Sequence, residues 1–247
     1  MRGYSGQGNA SEYADTYERY TSQEGEVEWK YGNVKFDDTV TFDGVVFGVF
    51  KTLVLKGGGA DAILGLVKNE YKDIRPSFLS QTSIRSLQFD FVHSTFRASE
   101  NRLISPDRDF IPLLDLKQRY GAPVQHYIAL VESFIVNGSR VRTPRPIYAM
   151  IDTGSSGLYI TENMYYDLQR EARGWRSAEV AFTTKQGNRI SMKAARPNPL
   201  FLCLPASFPW LPEESAYLIV VGIAFLENTV LTLDADESKM LLEVPAS

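Results

Sequence analysis

The stretch AMIDTGSSGLYI, residues 149–160, sets one aspartate, Asp152, and two glycines inside an otherwise apolar, strand-like run. A carboxylate in such a place is either satisfied by the N–H groups of its own turn or held ready for acid–base chemistry. Ser155 or Ser156 as a nucleophile would instead require an activating base. The chain has two histidines, His93 and His126, and both fall in apolar runs where a structural histidine is expected. With one cysteine, Cys203, and no Cys/His cluster, the pattern offers no metal site, and no cofactor is expected. GGGAD at 57–61 lacks the Lys-Ser or Lys-Thr pair and the opening helix of a phosphate loop, so it reads as a turn.

The elements that must position Asp152 are mostly strands. From Val27 onward short β-rich runs dominate (EVEWKYG, VKFDDTVTF, VVFGVFKTLVL, AILGLV), separated by Gly and Asp turns such as FDGV. The spacing of Phe78, Ile84 and Leu87 predicts a helix within residues 75–88, and FDFVHSTF returns to strand. VQHYIALVESFIVNGSRV reads as a hairpin turned at Asn137-Gly138. After the aspartyl stretch a helix is expected, with Thr161 as N-cap, Met164, Tyr165, Leu168 and Ala172 at helical spacing, and Gly174 as the stop. The remainder is strand-like, with a turn at Gln186-Gly187-Asn188.

Composition narrows the function classes. A formal charge of −4 and a pI near 5.4 leave no electrostatic footprint for nucleic acid, and Arg140, Arg142 and Arg145 read as a solvated turn. No apolar run reaches the roughly 18 residues of a membrane helix, and MRGYSGQGNASEY lacks the apolar centre of a signal peptide. A single cysteine excludes an internal disulfide, so an intracellular or organellar address is expected over secretion.

Asp-Thr-Gly-Ser-Ser between two apolar strands, with a helix after them, resembles the active-site loop of the pepsin-like aspartic proteases. In that family each of two β-lobes carries such a loop and threads a hydrophobic-hydrophobic-Gly strand beside it. Ile63-Leu64-Gly65 is similar to the first-lobe strand and Val220-Val221-Gly222 to the second. WKYG, with Tyr31 and Gly32, is similar to the flap hairpin, and FLENTVLTLDADESKMLLEV to the closing strands, with Asp234 at the family's fixed aspartate. The resemblance runs from about Val27 to Val244 and implies a mostly β, bilobal fold with a truncated N-terminal lobe. A polar arm would occupy 1–24, the remnant of the first lobe 25–118, and the lobe bearing the loop 119–247. It further implies that Asp152 faces a cleft, that Thr153 ties its loop to the other lobe's, that Gly154 permits a sharp turn and close approach, and that Ser155 orients the carboxylate.

The family's chemistry needs two carboxylates that share a proton, one acting as base on water and the other as acid toward the substrate carbonyl. The second is not found. Residues before Trp29 are polar, and the nearest candidate, Asp15-Thr16, is followed by Tyr17 rather than Gly. The flap is reduced to Tyr31-Gly32-Asn33-Val34, Ile223 stands where the family has Asp after the Gly matching Gly222, and Cys203 has no disulfide mate. The expectation is a catalytically inactive scaffold serving as a structural or binding subunit, with protein partners and no nucleic acid. The alternative is an active endopeptidase acting on peptides, its second aspartate supplied by a missing N-terminal segment or a second chain.

Overall fold

Alternating and wholly apolar strand-length runs punctuated by Gly, Asn and Asp favour sheets over helices, and the protein is mostly β with several sheets. The computed structural model describes residues 8–19, 23–35, 40–55, 63–68, 76–172, 176–195 and 203–244. Gly174 and GGGAD lie outside them, apart from which every segment singled out above is described wholly or in part. The chain divides into two units, Met1–Ser83 and Ile84–Ser247.

In the first unit a long strand, β3 (Gln23–Lys35), organises a five-stranded sheet. It pairs antiparallel with β1 (Asn9–Ala10), β2 (Thr16–Arg19), β4 (Thr41–Phe50) and β5 (Val54–Leu55). Part of the polar arm therefore belongs to the sheet. FDGV does not divide two strands: Gly44 takes φ +65° within β4, opposite a register shift between Gly32 and Val34. Tyr31 and Gly32 thus lie inside the β3–β4 ladder, facing Val46 and Val45, and Tyr31 is half exposed.

Two expectations fail nearby. Ile63, Leu64 and Gly65 form no strand; Ile63 is exposed, and the Gly65 carbonyl accepts a hydrogen bond from the Phe78 N–H. The described part of the segment, 76–88, is no helix beyond one 3₁₀ turn over Leu79–Gln81. The Gln81 side chain there binds both the N–H and the carbonyl of Val46, at 2.6 and 3.1 Å, using its amide as a strand would use its backbone.

The second unit opens with β6 (Ser86–Asp90), β7 (Thr95–Ser99), β8 (Ile111–Pro112) and the short helix α1 (Leu116–Tyr120). Residues 84–118, read from sequence as the end of the first lobe, thus share a unit with C-terminal strands. It continues with β9 (Ile128–Val136), β10 (Ser139–Arg140), β11 (Ile147–Ile151), β12 (Leu158–Thr161) and α2 (Glu162–Ala172). Then come β13 (Ser177–Thr183), β14 (Arg189–Ala195), β15 (Cys203–Ala206), β16 (Tyr217–Val221), α3 (Ile223–Leu226), β17 (Val230–Asp234) and β18 (Lys239–Glu243).

One sheet runs β14-β13-β9-β11-β16-β12-β15, with β10 also on β9, and the other runs β7-β6-β17-β18-β8. Asn137 and Gly138 both take positive φ, 50° and 81°, and close the β9–β10 hairpin. His93 sits not in an apolar strand but in the exposed turn between β6 and β7, where its Nδ1 is 2.8 Å from Asp90 Oδ2. Thr161 does not cap α2: it ends β12, and its buried hydroxyl has no hydrogen-bond partner among the described residues. Met164 and Leu168 supply the buried face of that helix. No helix among the described residues is long and apolar enough to cross a membrane.

Candidate functional site: the Asp152 loop

The site is built on three strands in the order β11-β16-β12. β11 pairs parallel with β16, Ile147 through Ile151 against Tyr217 through Val221, while β12 pairs antiparallel with the other side of β16. All five residues of β16 are buried, which suits a run of Tyr, Leu, Ile, Val and Val in the middle of a sheet. The loop 152–157 must therefore pass from one flank of β16 to the other around its C-terminal end.

Backbone hydrogen bonds fix that passage. Asp152 N–H donates to Val221 O at 3.1 Å, and Gly222 N–H to Gly157 O at 2.8 Å. Ile223 and Ala224, the first residues of α3, donate their N–H groups to the carbonyls of Ser155 and Ser156 at 2.8 and 2.9 Å. These donors have no partner within their own helix, so the loop supplies what the helix start lacks. The close approach explains Gly222: a Cβ there would lie 2.3 Å from the Ser155 carbonyl oxygen and 2.7 Å from that of Gly157.

The family resemblance implies close approach at Gly154 instead. A Cβ at Gly154 would meet only Asp152 Oδ1, at 3.2 Å, and its φ is not positive. The demand for a bare backbone thus falls on the strand end, not on the turn. The Asp152 side chain is half-buried and held by its own loop. Gly154 N–H donates to Oδ1 at 2.9 Å and Ser155 Oγ–H to Oδ2 at 2.6 Å. Thr153 is half-buried in the same turn. Because the Ser155 hydroxyl is directed at the carboxylate, the arrangement orients an acid–base group and does not activate a serine.

A residue that sequence alone assigned to structure comes to the same place. His126 immediately precedes Tyr127, whose carbonyl accepts the Ile151 N–H at 2.9 Å. Burial pushes the His126 imidazole below its usual range, and the negative charge of Asp152 opposes that shift. The signal was present as cross-strand register, which becomes readable only once β9 is known to pair with β11. On Tyr127, burial acts first and Asp234 and Asp236 second, and all three raise the phenol. Asp234 is fully buried. Its Oδ1 accepts the N–H groups of Asp236 and Glu237, and its Oδ2 has no hydrogen bond among the described residues, with Arg102 Nε 3.9 Å away.

The other candidates lie elsewhere. Asp15 forms an ion pair with Lys51 at 2.5 Å on the first unit's surface, and Tyr17 after it belongs to β2. Cys203 pairs across from Leu158 in β15, and burial pushes its thiol up, away from nucleophilic reactivity. Among the described residues no three His, Cys, Asp or Glu side chains group as metal ligands would. No family model matches the chain, and no curated protein matches it.

Proposed function

We propose that this chain is a pepsin-like aspartic-protease scaffold, bilobal by origin, that works as a structural or binding subunit of a protein assembly and not as a peptidase. One observation carries the reading. The Asp152 carboxylate receives its hydrogen bonds from Gly154 and Ser155 of its own loop, and among the described residues no second carboxylate is hydrogen-bonded to it. An isolated carboxylate cannot divide one proton between two groups, which is the basis of aspartic-protease catalysis. The loop clamped around β16 is then retained for the fold it fixes and for the acceptor it presents to a partner.

The second reading, an aspartic endopeptidase completed by a carboxylate from a preceding segment or another copy of the chain, is favoured by the same clamp. Ser155 holds the Asp152 carboxylate and the α3 donors hold the carbonyls of Ser155 and Ser156, which fixes the group as a catalytic one would need to be fixed. Cleavage of a denatured protein substrate between about pH 3 and 6, where a carboxylate dyad works, separates the two. The purified chain is expected to give no hydrolysis above that of its Asp152→Asn variant. Turnover abolished by that substitution would sink the scaffold reading and establish the peptidase.

A further inference from the structure

A second titratable group, His126, follows the end of the ladder that leads to Asp152. In the antiparallel β9–β11 ladder Tyr148 faces Leu130, Ala149 faces Ala129 and Met150 faces Ile128. The Ile151 N–H extends it by one pair, onto the Tyr127 carbonyl. The next pair in that register is Asp152 with His126. Neither backbone donates to the other, since Asp152 N–H goes to Val221 and His126 N–H to Val124. The carboxylate takes its hydrogen bonds from Gly154 and Ser155, so Asp152 acts on the imidazole through its charge and not through a shared hydrogen bond. Alternation sends Tyr127 to the opposite face. Accordingly the charges acting on Tyr127 are those of Asp234 and Asp236, while the one acting on His126 is that of Asp152.

We propose that His126 and Asp152 form a proton-linked pair across the ends of β9 and β11, which makes the charge of the aspartyl loop switchable. With the imidazole neutral, the pair carries the single negative charge of the carboxylate and suits a basic or hydrogen-bond-donating group of a bound polypeptide. When the imidazole takes a proton, that charge is compensated within the pair, and the attraction for such a group is lost. A carboxylate dyad does the reverse, keeping one negative charge into the acid range because its two members share a proton. The pair is defined within the second unit and stands whichever way the peptidase test falls.

Two histidines make the test direct. Ring-proton NMR of the full chain against pH reads both, and His93, exposed and bound to Asp90, serves as the internal reference. In Asp152→Asn the His126 midpoint is expected to move to lower pH while that of His93 stays in place. A His126 midpoint that does not move, or that moves together with His93, overturns the proposal. Should the variant not fold, the wild-type chain decides. The Gly154 amide, hydrogen-bonded to Asp152 Oδ1, is expected to show a shift step at the His126 midpoint, and its absence overturns the pair equally.

Discussion

Burial holds His126 below the ordinary imidazole value of 6.5, so its protonation should be visible in stability as well as in spectra. As pH falls through that value, the unfolded chain takes up its proton while the folded imidazole stays neutral. The unfolded state then binds more protons, so stability declines until the folded group also titrates, and the contribution is constant below that. Its full benefit is present only above the ordinary value. Because the Asp152 carboxylate works against the shift, removing it lowers the folded value and widens the window of loss. Urea midpoints measured between about pH 7 and 4 are expected to fall more steeply in Asp152→Asn than in the wild type, and less steeply in His126→Gln. Equal slopes in all three proteins would show that His126 is not buried against a charge.

The clamp between the aspartyl loop and β16 is where a strand's demands exceed those of its side chains. Gly222→Ala drives a methyl group into two backbone carbonyls that cannot rotate away, and the cost expected from overpacking is about 3 kcal/mol. Gly154→Ala meets only the movable Asp152 carboxylate and should cost less than about 1 kcal/mol. Chemical denaturation of both variants checks the contrast, and equal losses would contradict it. Sequence pattern pointed to the wrong glycine because Asp-Thr-Gly looks like a turn, whereas the crowding at Gly222 arises from a loop 65 to 70 positions earlier. Local signals fared better where the physics is local. Asn137-Gly138 could be read directly because both residues tolerate positive φ. The segment 75–88 misled because Ile84 and Leu87 are buried next to or within a strand that pairs with β17, a partner some 145 positions on. Ile63-Leu64-Gly65 has strand-like composition but pairs with no strand among the described residues, and composition alone cannot supply one.

Among the described residues every strand of the second unit finds its partners between Ser86 and Glu243, including the β6–β17 pairing that joins the start of the unit to its end. The core around Leu116, Ile128, Tyr148, Leu211 and Leu218 is likewise drawn from these residues, as are all the hydrogen bonds that fix the Asp152 loop. A unit with ladders and a core cluster of its own meets the requirements of an independently folding domain, and at this length it is large enough to bury its own core. Residues 84–247 expressed alone are therefore expected to unfold cooperatively and to keep the His126 titration of the full chain. Circular dichroism during a urea titration and the same ring-proton measurement check both properties. A fragment without a cooperative transition would mean that the loop's geometry depends on residues before Ile84. If it folds but its His126 midpoint is shifted, residues before Ile84 alter the environment of the imidazole.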